Sequence, residues 1–150
     1  MSRNKGVMVE GLWHMWMFGC RRGKEKRLFH GTEKDTIPKI NRNSFNRSFC
    51  GKNATVYGKG VYFAVNASYS ITDTYSRPDG QGNKYMYLAR VVVGDFCVGN
   101  DTMNVPPPLP GTSNLLLYDS TVNRLDQPAM HVIYHDAQAY PEYLITIRRR

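Results

Sequence analysis

The sequence predicts an α+β fold in which strands dominate and helices are short. Short runs of β-prone residues recur along the chain, and the longest covers residues 84–93. Stretches with helical spacing are brief and do not alternate regularly with the strands. A Gly-x-Gly-x-x-Gly sequence is missing, so a bound dinucleotide would not lie on a doubly wound parallel sheet.

The composition is that of one globular domain. The chain has 150 residues, of which 41% are hydrophobic and 21% charged, which are ordinary values for a folded domain. The net charge of +8 favours an anionic partner, such as a dinucleotide, a nucleic acid or an acidic protein, without choosing among them. Three cysteines, Cys20, Cys50 and Cys97, show no metal or redox spacing. We therefore expect free thiols, no metal, and a cytoplasmic or nuclear location.

The first 25 residues match no clear pattern. Residues 7–18 are rich in Met and Trp, with Leu12, Met15 and Trp16 at helical spacing, which predicts a short amphipathic helix. The apolar part is short, is interrupted by His14, and precedes charged residues. We therefore expect neither a signal peptide nor a membrane-spanning segment.

Residues 27–30 predict the first strand. Asp35 is expected to cap a short helix that turns Ile37 and Ile40 inward. Residues 41–57 are rich in Asn, Ser and Gly and predict a loop.

The middle of the chain predicts a short central strand at 61–64 and a helix from Asn66 to about Tyr75. A turn is expected at 78–82, which contains Pro, Asp and Gly. Residues 84–93 predict the longest strand, and Arg90 on one of its apolar faces indicates a strand edge or a paired charge.

The last third predicts three further strands, at 115–118, 130–134 and 143–147. Residues 104–114 contain four prolines and predict an extended, irregular loop.

Two short segments carry the candidate site residues. The first ends in His30, Gly31 and Thr32, and the second, 57–64, places glycines around a lysine before a strand that carries Tyr62. Glycines beside a strand end let the backbone approach a ligand closely. A His and a Tyr on two such strands could frame a flat polar ligand. Taken alone, however, each segment more often indicates only a turn or a structural histidine.

Taken together and in order, these motifs resemble a known family. His-Gly-Thr at 30–32, Gly-Lys-Gly-Val-Tyr-Phe-Ala at 58–64 and Ser-Tyr-Ser at 68–70 are similar to the poly(ADP-ribose) polymerase catalytic domain. Phe-Asn-Arg-Ser at 45–48 and Gln-Ala-Tyr-Pro-Glu-Tyr-Leu-Ile at 138–145 support this. The similarity is closest to the mono-ADP-ribosyltransferase branch and runs from about residue 26 to residue 147.

The resemblance implies an ADP-ribosyltransferase fold. Its expected features are two small, mostly antiparallel sheets and short helices around an NAD cleft, with residues 26–150 as the catalytic domain. Residues 1–25 then form a poorly matched segment, in which the N-terminal strand and helix of the family are truncated. The family carries glycine where this chain has Ser44, so a positive φ angle there would reduce stability.

Roles for individual residues follow from the same resemblance. It implies that the Gly31 backbone and the Ser70 hydroxyl bind the nicotinamide carboxamide. Tyr62 and Tyr75 are expected to lie against the nicotinamide ring. His30 is expected to bind the adenosine ribose hydroxyls, and Thr32 is a further candidate for the same ribose.

Met130 stands where polymerising members carry a glutamate. In those members, the resemblance implies, the carboxylate orients the ribose hydroxyl and helps to activate the acceptor. A thioether accepts only weak hydrogen bonds and cannot act as a base. We therefore predict a catalytic site of His30, Tyr62 and Met130 that transfers a single ADP-ribose from NAD and needs no metal.

Three classes of function stay open at this point. The leading one is an NAD-dependent mono-ADP-ribosyltransferase that modifies a protein, including the possibility of itself. The second is an NAD-binding or ADP-ribose-binding module that is weak or inactive, and the third is a basic nucleic-acid-binding domain, suggested by the charge and ten tyrosines. A nucleic-acid acceptor has no support in the sequence, and no membrane partner is expected.

Overall fold

The computed structural model describes residues 24–50 and 55–148, so the amphipathic helix predicted at 7–18 lies outside the described residues. Within this part of the chain, seven strands form one sheet, together with short helices. The strands are β1 (Glu25–Thr32), β2 (Val61–Ala64), β3 (Asn83–Val92), β4 (Phe96–Val98), β5 (Ser120–Val122), β6 (Met130–Ile133) and β7 (Ala139–Arg148).

Three α-helices are short, as predicted: α1 (Ile37–Asn43), α2 (Arg47–Cys50) and α3 (Ala67–Ser70). Two 3₁₀ helices cover Lys34–Thr36 and Asp136–Gln138. Among the described residues, no helix has the length and apolar character needed to cross a membrane. The α+β prediction is therefore confirmed.

The sheet has the strand order β4-β5-β6-β2-β1-β3-β7. Only β4 and β5 are parallel, and every other neighbouring pair is antiparallel. At the centre, β1 and β2 share a single pair, Phe29 opposite Ala64. This junction divides the sheet into a short arm (β4, β5, β6, β2) and a long arm (β1, β3, β7). The two predicted sheets are thus the two arms of one continuous sheet.

The core lies where α1 and the loop after it cover the long arm. Ile40 of α1 is fully buried, as predicted, together with Leu28 of β1 and Phe45. The Phe45 ring packs edge-on against Phe63 and Tyr87, with centroids 4.9 Å and 5.7 Å apart. Apolar burial of this kind supplies most of the stabilisation of a small domain.

The Arg90 prediction of a paired charge is confirmed. Its guanidinium forms two hydrogen bonds with the carboxylate of Glu25 on the neighbouring strand, at 2.9 Å and 3.2 Å. A bidentate pair of this geometry fixes both side chains more firmly than a single contact does.

Several helix predictions were wrong in their limits. Asp35 lies inside the first 3₁₀ helix, and the residue before α1 is Thr36, which makes no side-chain cap. Asn66 precedes α3 without a side-chain cap, and the helix ends at Ser70 because the following residues form tight turns. The predicted loop at 41–57 contains the end of α1 and all of α2.

The strand predictions failed mainly beyond residue 93. Residues 115–118 are largely exposed and contribute one isolated bridge, from Leu117 to Pro108, instead of a strand. The three-residue strands β4 and β5 were not predicted. Strands this short leave little alternation to detect, and β5 follows directly after Asp119.

Ser44 has the backbone geometry that the missing glycine would suit. Its φ of 58° and ψ of −158° fall in a region that almost only glycine adopts. Its N–H donates to the Ile40 carbonyl at 2.8 Å, which closes α1, and its hydroxyl donates to the Ala139 carbonyl at 3.0 Å. The positive φ angle considered for Ser44 is therefore present, and its cost to stability stays a prediction.

Candidate active site

His30 lies beside the junction of the two arms, one residue beyond the Phe29–Ala64 pair. Its ring packs against Phe45 and Phe63, with centroids 5.1 Å and 5.4 Å away. Nδ1 lies 2.8 Å from the backbone carbonyl oxygen of Tyr62. Burial lowers the pKa of His30, and the hydrogen bond to the Tyr62 carbonyl opposes this only in part.

These contacts fix the tautomer of His30. A carbonyl oxygen can only accept a hydrogen bond, so the neutral imidazole carries its proton on Nδ1. Nε2 is then left as an acceptor. Nε2 is therefore suited to accept a hydrogen bond from a hydroxyl group of a ligand.

Gly31 is packed too closely for any side chain. A Cβ atom at this position would lie 2.0 Å from the backbone oxygen of Ser70 and 2.9 Å from Cβ of Tyr75. The β1 backbone therefore touches α3 and the turn that follows it. Ser70 is itself buried. The structure thus brings Gly31, Ser70 and Tyr75 together, although they are far apart in sequence.

Tyr62 is half-buried on β2 and is held through its hydroxyl. The hydroxyl donates to the Gly58 carbonyl at 2.7 Å and accepts the Tyr57 N–H at 3.0 Å. Burial is the main reason that the pKa of Tyr62 is raised, and interaction with Tyr134, Tyr57 and Tyr75 adds to the rise. The geometry links Tyr62 to Tyr75 through β1, because His30 contacts the Tyr62 carbonyl and the next residue, Gly31, packs against Tyr75.

Tyr69, which was not predicted as a site residue, packs directly against the predicted site residue Tyr75. Its ring stacks on Tyr75 with centroids 5.0 Å apart and planes 28° from parallel, and the two hydroxyls are hydrogen-bonded at 2.7 Å. Burial and the bond to Tyr75 raise the pKa of Tyr69. The signal available in the sequence was its place in Ser-Tyr-Ser, six residues before Tyr75.

Met130 begins β6 and lies directly opposite Ala64 on β2, two residues from Tyr62. It is buried, with 8% of its surface exposed, and its N–H donates to the Asn123 side chain at 3.3 Å. The pairing of β6 with β2 therefore places Met130 on the strand next to the one that carries Tyr62. Both the structural and the functional interpretation of Met130 are compatible with this position.

Thr32 ends β1, and its side chain is almost fully buried. Its hydroxyl lies 3.4 Å from the Glu33 carbonyl, a weak contact. As the second residue after His30 on one strand, it shares a face with His30. A contact of Thr32 with a ribose stays a prediction.

A separate cavity lies away from the predicted site residues. A cavity of about 310 Å³ is lined by Lys24, Asp95, Phe96, Leu109, Pro110 and Tyr118, none of which is a predicted site residue. In residues 24–50 and 55–148, His, Cys, Asp and Glu side chains do not gather in groups that could hold a metal ion.

Residues 7–108 match the model of the protein family described as "Poly(ADP-ribose) polymerase catalytic domain". The chain belongs to this family, and the resemblance predicted from its motifs is confirmed. The fold is accordingly the ADP-ribosyltransferase fold. Met130 lies beyond the matched residues, and the predicted boundary between residues 25 and 26 stays a prediction.

Curated relatives are similar over most of the chain. Human protein mono-ADP-ribosyltransferase PARP14 is 52% identical over 125 residues, which cover 83% of this chain and 7% of the relative. The mouse mono-ADP-ribosyltransferases PARP10 and PARP12 are 45% and 40% identical over 88% and 90% of the chain. The chain spans at most a fifth of these three proteins, with shares of 7%, 14% and 20%.

Proposed function

We propose that this chain is an NAD-dependent protein mono-ADP-ribosyltransferase. The observation that carries the proposal is that two adjacent residues of β1 contact the other predicted site residues: His30 binds the Tyr62 carbonyl, and Gly31 packs against Ser70 and Tyr75. The relatives that are named protein mono-ADP-ribosyltransferases support it.

The residues present fit an NAD molecule. Because Gly31 has no side chain and touches Ser70 and Tyr75, its backbone can meet a carboxamide beside the Ser70 hydroxyl. The rings of Tyr62 and Tyr75 supply flat surfaces for a nicotinamide. Nε2 of His30 is the acceptor available for a ribose hydroxyl. These groups bind and orient the substrate and take no proton from it.

Transfer breaks the bond between the ribose and the nicotinamide nitrogen. The bonding electron pair returns to the ring nitrogen, and nicotinamide leaves neutral. An acceptor oxygen forms the new bond to the ribose carbon, through a transition state of oxocarbenium character. Positioning supplies the main rate gain, because the leaving group is already good.

The product is a single ADP-ribose because Met130 cannot act as a base. Extending a chain requires activation of a ribose hydroxyl, which a thioether does not provide. A carboxylate on the acceptor is already ionised at neutral pH and can supply the nucleophile itself. The acceptor is therefore a protein side chain, and this chain itself is one candidate.

A mass spectrum of the protein after incubation with NAD tests the proposal. We expect additions of one ADP-ribose per modified residue, and loss of labelling in the His30→Ala, Tyr62→Ala double variant. Gly80→Ala is the matched control, because a Cβ there would meet nothing within 4 Å. Additions in long series would contradict the role of Met130, and NAD binding without turnover in calorimetry would favour a binding module.

A cytoplasmic or nuclear location remains part of the proposal. The one support among the described residues is Cys97, which is free. Burial raises the pKa of its thiol, which makes it a poor nucleophile and no competitor for the acceptor role.

A further inference from the structure

The loop before β2, residues 55–60, adjoins the candidate site through the Tyr62 hydroxyl. That hydroxyl binds the Tyr57 N–H and the Gly58 carbonyl. The other end of the loop is held separately, because the Lys59 N–H donates to the Met103 carbonyl at 2.8 Å. Residues 57 and 58 therefore lie between the contact with Met103 and the contacts with the Tyr62 hydroxyl.

Two buried hydroxyls from the short arm also contact the backbone of Tyr57. Thr121 of β5 is fully buried, and its hydroxyl donates to the Tyr57 carbonyl at 2.7 Å. Tyr134, which follows β6, is 3% exposed, and its hydroxyl lies 2.8 Å from the Thr121 hydroxyl and 3.4 Å from the Tyr57 carbonyl. Within the described residues, these hydroxyls bind only each other and Tyr57.

The backbone at residues 57 and 58 is tightly packed around these hydroxyls. Gly58 has a φ of 129°, and a Cβ there would lie 1.8 Å from the Tyr134 hydroxyl oxygen. On the neighbouring chain segment, a Cβ on Gly99 would lie 1.8 Å from the Tyr57 carbonyl oxygen. Because Gly58 and Gly99 have no side chains, the backbone at residues 57 and 58 can lie in contact with the Tyr134 hydroxyl and with residue 99.

We propose that Thr121 and Tyr134 are positioning residues for NAD, which act by fixing the 57–58 backbone against the Tyr62 hydroxyl. The proposal rests on the proposed function. Valine and phenylalanine would fill the same space without two buried polar atoms, whose desolvation is unfavourable unless they are hydrogen-bonded. The strands do not need these hydroxyls, because β5 and β6 pair through their backbones.

The Tyr62 ring connects residues 57 and 58 to the proposed NAD site. In the proposed function the Tyr62 ring lies against the nicotinamide. The hydrogen bonds of its hydroxyl can fix the orientation of the Tyr62 ring only if the backbone of residues 57 and 58 is itself fixed. Loss of the Thr121 or Tyr134 hydroxyl frees these residues and lets the ring turn. The expected effect falls on binding of NAD and leaves the chemical step nearly unchanged.

Steady-state kinetics of Thr121→Val and Tyr134→Phe test the inference. We expect KM for NAD to rise about five-fold in each, the ratio that one lost hydrogen bond gives, with kcat nearly constant. Thr121→Ser, which restores the hydroxyl, should return KM to the wild-type value. Ser120→Ala is the matched control, because its buried hydroxyl donates to the Val93 carbonyl at 2.7 Å and does not touch the loop.

Amide hydrogen exchange without NAD separates this inference from the proposed function. The Tyr57 and Gly58 amides should exchange faster in Thr121→Val and Tyr134→Phe, whereas the Lys59 amide, bound to Met103, should not change. This readout holds even if the wild-type protein does not turn over NAD. Exchange and KM equal to those of Ser120→Ala would overturn the inference.

Discussion

The imidazole of His30 on β1 donates to the backbone carbonyl of Tyr62 on β2, so one hydrogen bond spans the junction of the two arms. It sets the tautomer of His30 and couples it to the neighbouring wall of the site. Because Nδ1 is engaged in this bond, only Nε2 of the neutral ring can accept a hydrogen bond from a ligand, and protonation of His30 removes that acceptor.

We expect NAD affinity to stay level from neutral pH down to 6.5 and to fall at lower pH. Burial lowers the pKa of His30 below its ordinary 6.5, so the neutral form with a free Nε2 acceptor persists above that pH. Protonation at lower pH converts Nε2 into a donor. Calorimetric titration with NAD across this range measures the effect, and a midpoint above pH 6.5 would contradict it.

Gly31→Ala should weaken NAD binding roughly tenfold or more. The added methyl group would meet the Ser70 backbone oxygen at 2.0 Å, and backbone yields less readily than a flexible side chain. Gly80→Ala adds the same methyl group in open space and should bind NAD like the wild-type protein. Equal affinities of the two variants would show that the Gly31 approach to Ser70 is not needed.

Met130→Leu should retain activity within about tenfold, because volume-conserving core changes cost under about 1.5 kcal/mol. Removal of a true general base would lower kcat by about 10²–10⁴. Single-turnover rates with NAD distinguish the two cases. A loss of the larger size would mean that the sulfur takes part in the reaction.

Ser44→Gly should stabilise the fold, and Ser44→Ala should destabilise it. Glycine removes backbone strain of about 1–3 kcal/mol and loses the hydrogen bond to Ala139, which contributes about 0.5–1.5 kcal/mol. Alanine loses the bond and keeps the strain. Thermal unfolding should show a Tm rise of a few degrees for glycine, about 2–4 °C per kcal/mol, and the same sign for both variants would refute this account.

His131 should make the fold sensitive to acid. It is fully buried on β6, both ring nitrogens lack a hydrogen-bond partner within the described residues, and its ring packs edge-on against Phe96 at 5.3 Å. Burial, with the nearby charge of Lys26, lowers its pKa from 6.5 to about 4. Between pH 6.5 and about 4, His131 is therefore protonated in the unfolded chain and neutral in the folded chain.

Stability should accordingly be complete above pH 6.5 and decline as the pH falls towards 4. Urea unfolding at several pH values measures the decline. His131→Phe removes the titrating group and keeps a ring against Phe96, so its unfolding free energy should vary less over the same interval. An identical pH profile in the variant would place the acid sensitivity elsewhere.

The sequence was informative wherever the determinant was local. His30, Gly31 and Tyr62 stand in short motifs at strand ends, and the alternation over 84–93 located β3 within one residue. The strain at Ser44 could be predicted because a single residue type departs from the pattern. The charge pair of Arg90 followed from its place on an apolar face.

Long-range partners could not be predicted in the same way. Thr121 and Tyr134 act on Tyr57 across 64 and 77 residues, and neither belongs to a motif. Residues 115–118 have the composition of a strand, yet Leu115 is 84% exposed, and among the described residues this segment pairs only through the isolated bridge from Leu117 to Pro108. Propensity describes a segment, whereas pairing is decided by the rest of the chain.

The interleaved order of the strands has a consequence during synthesis. Along the chain, the backbone crosses between the two arms four times, after β1, β2, β3 and β6. The long arm is completed only by β7, the last of the seven described strands in chain order. Neither arm is formed from one continuous stretch of the chain, so the long arm cannot complete its strand pairing until β7 has been synthesised.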